Sequence, residues 1–467
     1  MRETPRIPGT ELYRGALSLI TLGIAVYTGG ETARIAPFAF GALLLICLEL
    51  LLLPGTRYVN LPFLQLSLLF IFCYDSFDTF IKFVWILPLV LIALGVHLWR
   101  LRPRLRFGPT LLPLMLVALA TVLGGVGMIS AEEYFRPVVL GYVLGLGPGL
   151  VLTYLLMKNE LRDREDGKAW LSDLFWWGLT AAAAVFAYAL PPLSRGDALP
   201  FIQWSNNAST MLMIAMPAVA ARVRRYPVLF PLLIAIPAAM ILTGSRAGLL
   251  FAPVELLICI VWLICSTRGW RRRIFHGAWA LILVTAVLIW GVPLIRAMIA
   301  TLPDHFRPVT AEDVRWKLIL RSLENFRENP LFGCGLGYQG NADLYSGKMG
   351  TINWYHVFPA QVLGGLGIFG TLAWGFQLVT RVLVAIRVRK SRTFSLMLCY
   401  LGLLLMSMVN PGEFCPVPYA FLAVSFFALA ENRAFGADTR LWLVPFPKRR
   451  KKQEEQPAIS DNSQNKP

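Results

Sequence analysis

Apolar runs of roughly bilayer length alternate with short polar breaks along almost the whole chain. They fall near residues 13–28, 36–53, 61–74, 79–99, 109–128, 136–157, 169–190, 207–221, 227–243, 247–266, 276–298, 357–385, 393–410 and 414–431. A helix needs about 20 mostly apolar residues to cross a bilayer, and it satisfies its own backbone hydrogen bonds there. The alternating segments of about 10 residues that mark a membrane β-barrel are absent. The pattern predicts an all-α polytopic integral membrane protein with about fourteen transmembrane helices, a count good to one or two. One long polar interruption, residues 299–352, breaks the series.

Charge orients these runs. Lys and Arg collect in cytoplasmic loops. With the N-terminus placed in the cytoplasm, every inside loop is basic: Arg57; Arg100 to Arg106; Lys158 to Lys168; Arg222 to Arg225; Arg268 to Arg273; Arg387 to Arg392. The outside loops are sparse or acidic, with Asp75, Asp78, Glu132, Glu133, Asp197 and Glu413. A wrong span count would break this alternation. Both termini are therefore expected in the cytoplasm, and the long interruption and Arg246 outside, in a multi-pass membrane protein.

Composition agrees. The chain has 467 residues, of which 56% are hydrophobic, and a formal net charge of +17. Its mean hydropathy is +0.60. That is too apolar for a soluble fold. The basic residues are scattered between spans and form no single patch, so nucleic acid is not an expected partner. The first apolar run lacks a cleavage site and is expected to stay as a span. Residues 1–446 form a single polytopic membrane domain in this reading, and 447–467 a disordered basic cytoplasmic tail. Seven cysteines without metal-ligand spacing argue against a zinc site. Cys334 and Cys415 are both expected to face outward, where pairing is open.

The outward interruption holds an amphipathic helix. Thr310 and Asp313 are spaced as a capping box, and the helix is expected to end near Asn329 and Pro330. Trp316, Ile319, Leu320, Leu323 and Phe326 recur at helical spacing as its apolar face. Arg315, Lys317, Arg321 and Arg327 supply its charge. Two readings stand for these cations: snorkelling from a helix that lies on lipid, or contact with an anionic substrate. Arg246, in TGSRAG, sits in a very short turn among small residues that allow close packing. Its planar fork suits phosphate oxygens. Of the four histidines, only His305 and His356 are placed to serve outward chemistry; an ordinary histidine accepts a proton near neutral pH. Trp354 and Tyr355 beside His356 fit a membrane-interface belt.

Other motifs carry less. Gly333, Gly335 and Gly337 look phosphate-cradling, but no Walker lysine or Rossmann strand accompanies them, so a packed turn is expected. Asp75 with Asp78, and Glu132 with Glu133, are too few carboxylates for a metal site. Glu49 and Glu255 lie within spans, where they need partners.

At these residues the chain resembles the O-antigen ligase and O-antigen polymerase family of bacterial envelope membrane proteins. The resemblance covers about 204–431. It rests on LTGSRAG, then the outward loop 299–352 with Arg-Trp-Lys and NPLFGCGLG, then a histidine followed by GGLGIFGTL. It implies a glycosyltransferase of cell-surface polysaccharide biosynthesis that is metal-independent and inverting and needs no cofactor. The implied donor is a polyprenyl-diphosphate-linked glycan, and the implied acceptor a glycan or lipid. By position, Arg246 and Arg315 would hold the diphosphate and His356 would act as base, with Arg321 and His305 as secondary candidates. The chain departs from the family where Val357 follows His356 in place of Asn, and where Gly364 and Gly365 stand in place of Glu. Nothing in these motifs separates polymerase from ligase. The rival class is a lipid-linked glycan flippase, which should place its cations in a central cavity between repeated halves. Here they gather at one face.

Overall fold

The computed structural model describes residues 10–29, 31–53, 55–72, 86–102, 105–161, 164–195, 205–301, 313–344, 352, 354–391, 393–415 and 417–435. Among these no strand occurs, and each of the fourteen apolar runs carries a helix. In chain order they are α1 (Glu11–Thr28), α2 (Thr32–Leu52), α3 (Asn60–Ile71), α4 (Leu87–Leu101), α5 (Leu111–Leu123), α6 (Pro137–Glu160), α7 (Arg164–Arg195), α8 (Ser205–Arg225), α9 (Phe230–Leu242), α10 (Arg246–Ser266), α11 (Trp270–Ala297), the helix of the polar interruption α12 (Val314–Glu328), α13 (Phe358–Val388), α14 (Phe394–Ser407) and α15 (Val417–Phe435). Among the described residues six helices are long and apolar enough to cross a membrane, α2, α6, α7, α10, α11 and α13. The remaining apolar helices are shorter or more polar. The structure thus places a helix on every run, and full span length on six of them.

One helix organises the bundle. Every residue of α8 from 208 to 220 is buried. A helix apolar on all sides is stable only when covered on all sides. Here α7, α9, α10 and α14 surround it. Small residues bring the neighbours close: a Cβ on Gly178 of α7 would lie 2.5 Å from the Ala215 Cβ, and one on Gly248 of α10 would lie 2.7 Å from the Ser209 Oγ. A second core joins α5, α6, α13 and α15 through residues such as Leu114, Val143, Trp374 and Val424.

Several expectations about buried charge change. Glu413 is not a solvated loop charge. It is 1% exposed and accepts from Arg381 at 2.9 Å. Arg381 lies inside α13, where a cation is costly unless paired. Glu49 accepts from the Tyr13 hydroxyl at 2.6 Å. Glu133 accepts from the Ser130 backbone N–H at 3.2 Å and completes the capping box of a one-turn helix, Ala131–Tyr134. Cys334 and Cys415 are both free thiols: Cys334 contacts the Tyr355 hydroxyl, and Cys415 the Tyr142 hydroxyl. Asp75, Asp78 and Asp197 lie outside the described residues.

Candidate functional site

The short turn between α9 and α10 is locked by small polar groups. Gly244 takes φ 71, a backbone state that glycine adopts without a Cβ penalty. Ser245 caps α10 by accepting from the Gly248 N–H at 3.0 Å, and its hydroxyl donates to the Asn206 side chain at 2.7 Å. The Thr243 and Ser209 hydroxyls bond each other at 2.7 Å. This leaves Arg246 as the first residue of α10, half-buried, with its Cα fixed from both sides. A helix N-terminus carries partial positive charge, and the guanidinium adds a full one.

Arg315 comes from the first turn of α12. The cap of that helix is Asp313, whose carboxylate accepts from the Arg315 N–H at 2.8 Å. Thr310 lies outside the described residues. The helix runs from Val314 to Glu328, close to its expected end. Its packed face differs from the expected one. Leu318, Ser322 and Asn325 are buried, whereas Trp316, Leu320 and Leu323 are between 40% and 45% exposed. The reason is the surface it meets. Gly364 of α13 approaches so closely that a Cβ there would lie 2.8 Å from the Ser322 Cβ, and only small side chains fit. The bulky apolar residues are left on the outside of the helix.

The glycine turn after α12 is a packing device. Gly333 and Gly335 take φ 64 and 78. The Cys334 N–H donates to the Gly364 carbonyl at 2.9 Å, and the Gly335 N–H to the Gly365 carbonyl at 2.8 Å. In return α13 breaks at Gly367, with φ 64 and ψ −160, so that the N–H groups of Ile368 and Phe369 donate to the carbonyls of Pro330 and Leu331 at 2.8 and 3.2 Å. Two glycine-rich strings therefore exchange backbone bonds. A Cβ on Gly333 would lie 2.6 Å from the Gly364 oxygen. The expected packed turn is what the structure holds.

His356 stands just before α13. Its φ of 55 is a left-handed state that a non-glycine residue rarely adopts without a local reason. The flanking contacts impose it. The Tyr355 N–H donates to the Gln361 side chain at 3.0 Å, and the Tyr355 hydroxyl contacts Cys334 Sγ at 3.0 Å and the Asn325 amide. Tyr355 is 1% exposed and so belongs to the core, not to an interface belt. Trp354 likewise packs edge-on against Tyr142, with ring centroids 5.2 Å apart.

These elements converge. Burial, then the charge of Arg246, lowers the pKa of Arg315, and Asp313 opposes both. Arg315 remains a cation at any working pH. Burial, then the charge of Arg315, pushes the His356 pKa down to about 4. A side-chain hydrogen bond from Asn410 opposes that shift. Arg246, Arg315 and His356 thus share one electrostatic neighbourhood at the N-terminal ends of α10, α12 and α13. At neutral pH it holds two cations beside an uncharged imidazole. That arrangement suits an anion and a proton acceptor side by side.

The other candidates sit elsewhere. Arg321 pairs with Asp343 at 3.0 Å and Glu324 at 3.1 Å, and it donates to the Gly340 carbonyl at 2.7 Å. It ties α12 to the segment behind it. Lys317 and Arg327 are exposed. His305 lies outside the described residues. Asn410 was not singled out by the sequence. It lies between α14 and α15, far along the chain from His356, and an Asn-Pro pair there reads as an ordinary turn.

Comparison with known proteins bears on this convergence. No curated protein matches the chain. Residues 230–375 match the family model described as O-antigen ligase. The matched stretch begins at α9 and ends within α13, so it contains both arginines and the histidine but not Asn410. Over these residues the chain is similar to the O-antigen ligase family.

Proposed function

We propose that the chain transfers a glycan from a polyprenyl-diphosphate donor to a glycan or lipid acceptor, outside the plasma membrane, in cell-surface polysaccharide biosynthesis. The observation that carries this reading is the pairing of Arg246 and Arg315 beside a neutral His356. The two guanidiniums repel each other, and a diphosphate placed between them relieves that repulsion. As the glycosidic bond breaks, negative charge grows on the leaving diphosphate, and fixed arginines stabilise it in a partly dry site. The acceptor hydroxyl attacks the anomeric carbon from the face opposite the leaving group, which inverts that centre. His356 takes the hydroxyl proton, and the diphosphate leaves with the bonding electron pair. No step calls on a metal or cofactor, because the arginines supply the positive charge. The family match over 230–375 supports the reaction class, and the basic loops support cytoplasmic termini with the site on the outer face.

The test is transfer in vitro with purified protein, a polyprenyl-diphosphate oligosaccharide and EDTA. The native chain is compared with Arg246→Ala, Arg315→Ala and His356→Ala. Longer glycan on the lipid would identify a polymerase, and glycan on a second acceptor a ligase. Native activity with loss in all three folded variants is the expected result. Full activity in any of the three would remove that residue from the scheme.

A further inference from the structure

The loop that carries Asn410 packs on the segment that carries His356: the Phe414 ring meets the rings of Trp354 and Phe358 at centroid distances of 6.4 and 5.9 Å, and the Asn410 side chain acts on the His356 ring between them. Asn410 is 6% exposed and lies in the loop between α14 and α15. That loop is held at several points. The Phe414 and Cys415 N–H groups donate to the Pro411 carbonyl at 2.8 and 2.7 Å. A Cβ on Gly412 would lie 2.8 Å from the Ser407 Oγ, so the loop is pressed onto the end of α14. Glu413 is gripped by Arg381, which also donates to the Tyr400 hydroxyl at 2.6 Å. The Arg381 guanidinium lies over the rings of Tyr400, Phe427 and Trp374 at 4.8, 5.2 and 5.7 Å. A cation so deeply enclosed has little freedom, and neither does the carboxylate it holds.

We propose that Asn410 is a positioning residue for His356, fixing the tautomer and direction of the ring, and that the buried Arg381–Glu413 pair fixes the loop that presents Asn410. The proposal rests on His356 being the base of the transfer. The hydrogen bond made by one ring nitrogen decides which nitrogen carries the proton. An amide can do this without adding charge. A carboxylate in the same place would draw a proton onto the ring and turn the base into an imidazolium. Among the described residues, Arg315 from α12 acts on the ring, and Arg246 and Asp313 act in turn on Arg315. With that balance, an amide keeps the histidine neutral at pH 7.

The experiment follows His356 itself and then turnover. Full-length protein in nanodiscs is acylated with diethyl pyrocarbonate across a pH series, and labelling is read peptide by peptide for the native chain, Asn410→Ala and Asn410→Asp. Only the neutral ring reacts. Asn410→Asp is expected to raise the midpoint of His356 labelling by about one unit or more, while His97 and His276 label as in the native protein. An unmoved midpoint would overturn the proposal. In the transfer assay Asn410→Ala is expected to lower kcat by about 10- to 100-fold with donor KM within about twofold. Native kcat in Asn410→Ala would also overturn it. Glu413→Gln, which disturbs the loop from below, is expected to lower kcat less than Asn410→Ala. The labelling needs no turnover. A native protein that transfers nothing would therefore sink the transfer reading, and the labelling would still judge the contact between Asn410 and His356.

Discussion

The charge of Arg246 acts on Arg315, although one side chain starts from the first turn of α10 and the other from the first turn of α12. Two helix beginnings, about 70 positions apart in sequence, direct cations to the same place. Neither cation gains from the other's presence. A bound anion would offset that repulsion.

Removing either arginine should cost activity. Arg246→Ala and Arg315→Ala are each expected to reduce transfer by about 10²- to 10³-fold, the usual loss for one fixed electrostatic donor. Inorganic diphosphate should raise the Tm of the native protein and raise it less in either variant.

The Arg321 guanidinium lies on the same helix but holds Asp343 and Glu324. These are largely exposed pairs, worth about 0–1 kcal/mol. Arg321→Ala is expected to lose less than about tenfold in transfer, with a small drop in Tm. A loss as large as that of Arg315→Ala would place Arg321 on the donor.

The pH profile should carry the mark of His356. An ordinary histidine titrates near 6.5, whereas burial and Arg315 push this one down to about 4. The active form is the neutral ring, so activity is present above that value and falls as pH drops through it. The acid limb of kcat/KM, which reports the free enzyme, should lie near pH 4 to 5. Bound diphosphate adds negative charge beside the ring and raises its pKa. The acid limb of kcat should therefore lie at higher pH than that of kcat/KM. Arg315→Ala should move the free-enzyme limb upward, and a fixed limb in that variant would contradict the electrostatic account.

The glycine contacts should be intolerant. Gly333 and Gly367 both take φ 64, and a Cβ on either would lie 2.6 Å from backbone of the facing string. Neither the backbone state nor the neighbour can relax. Gly333→Ala and Gly367→Ala are each expected to lose about 2 kcal/mol or more, read as a lower Tm, because left-handed strain and overpacking add. Gly127→Ala is the control. It also has positive φ, but the nearest side-chain atom is 3.8 Å away, so only the strain remains.

Glu255 offers a test inside the bundle. It is 0% exposed, and among the described residues neither carboxyl oxygen has a hydrogen-bond partner. Gly402 of α14 makes room for it, since a Cβ there would lie 2.5 Å from Glu255 Oε2. Gly402→Ala is expected to lower Tm clearly. Glu255→Leu, which replaces an unpartnered polar group by apolar volume, is expected to hold or raise it.

Much of this architecture was legible in the sequence because its causes are local. Apolar length gives a helix wherever it occurs, and each run from 13–28 to 414–431 carries one. Arg246 and Arg315 could be paired as candidates because the loop charges put both helix ends on one expected face and the family resemblance names both positions. What the sequence hid depends on distant partners. The packed face of α12 follows Ser322 and Asn325, not Trp316 and Leu320, because the opposing surface is lined with glycine. Glu413 looked like a loop carboxylate until Arg381, inside a span, reached it. Asn410 has no pattern of its own, and its meaning comes entirely from the histidine beside it.

The break at Gly367 also bears on how the protein is made. Residues beyond it belong to the membrane-crossing part of α13, whose apolar length can insert as soon as it leaves the ribosome. The segment Phe358–Leu366 takes its direction from a different source, the backbone bonds to residues 330–335. His356 precedes that segment and shares its fate. Placing the helix beyond Gly367 and seating the residues before it are thus separate events, and the second fixes the backbone around His356.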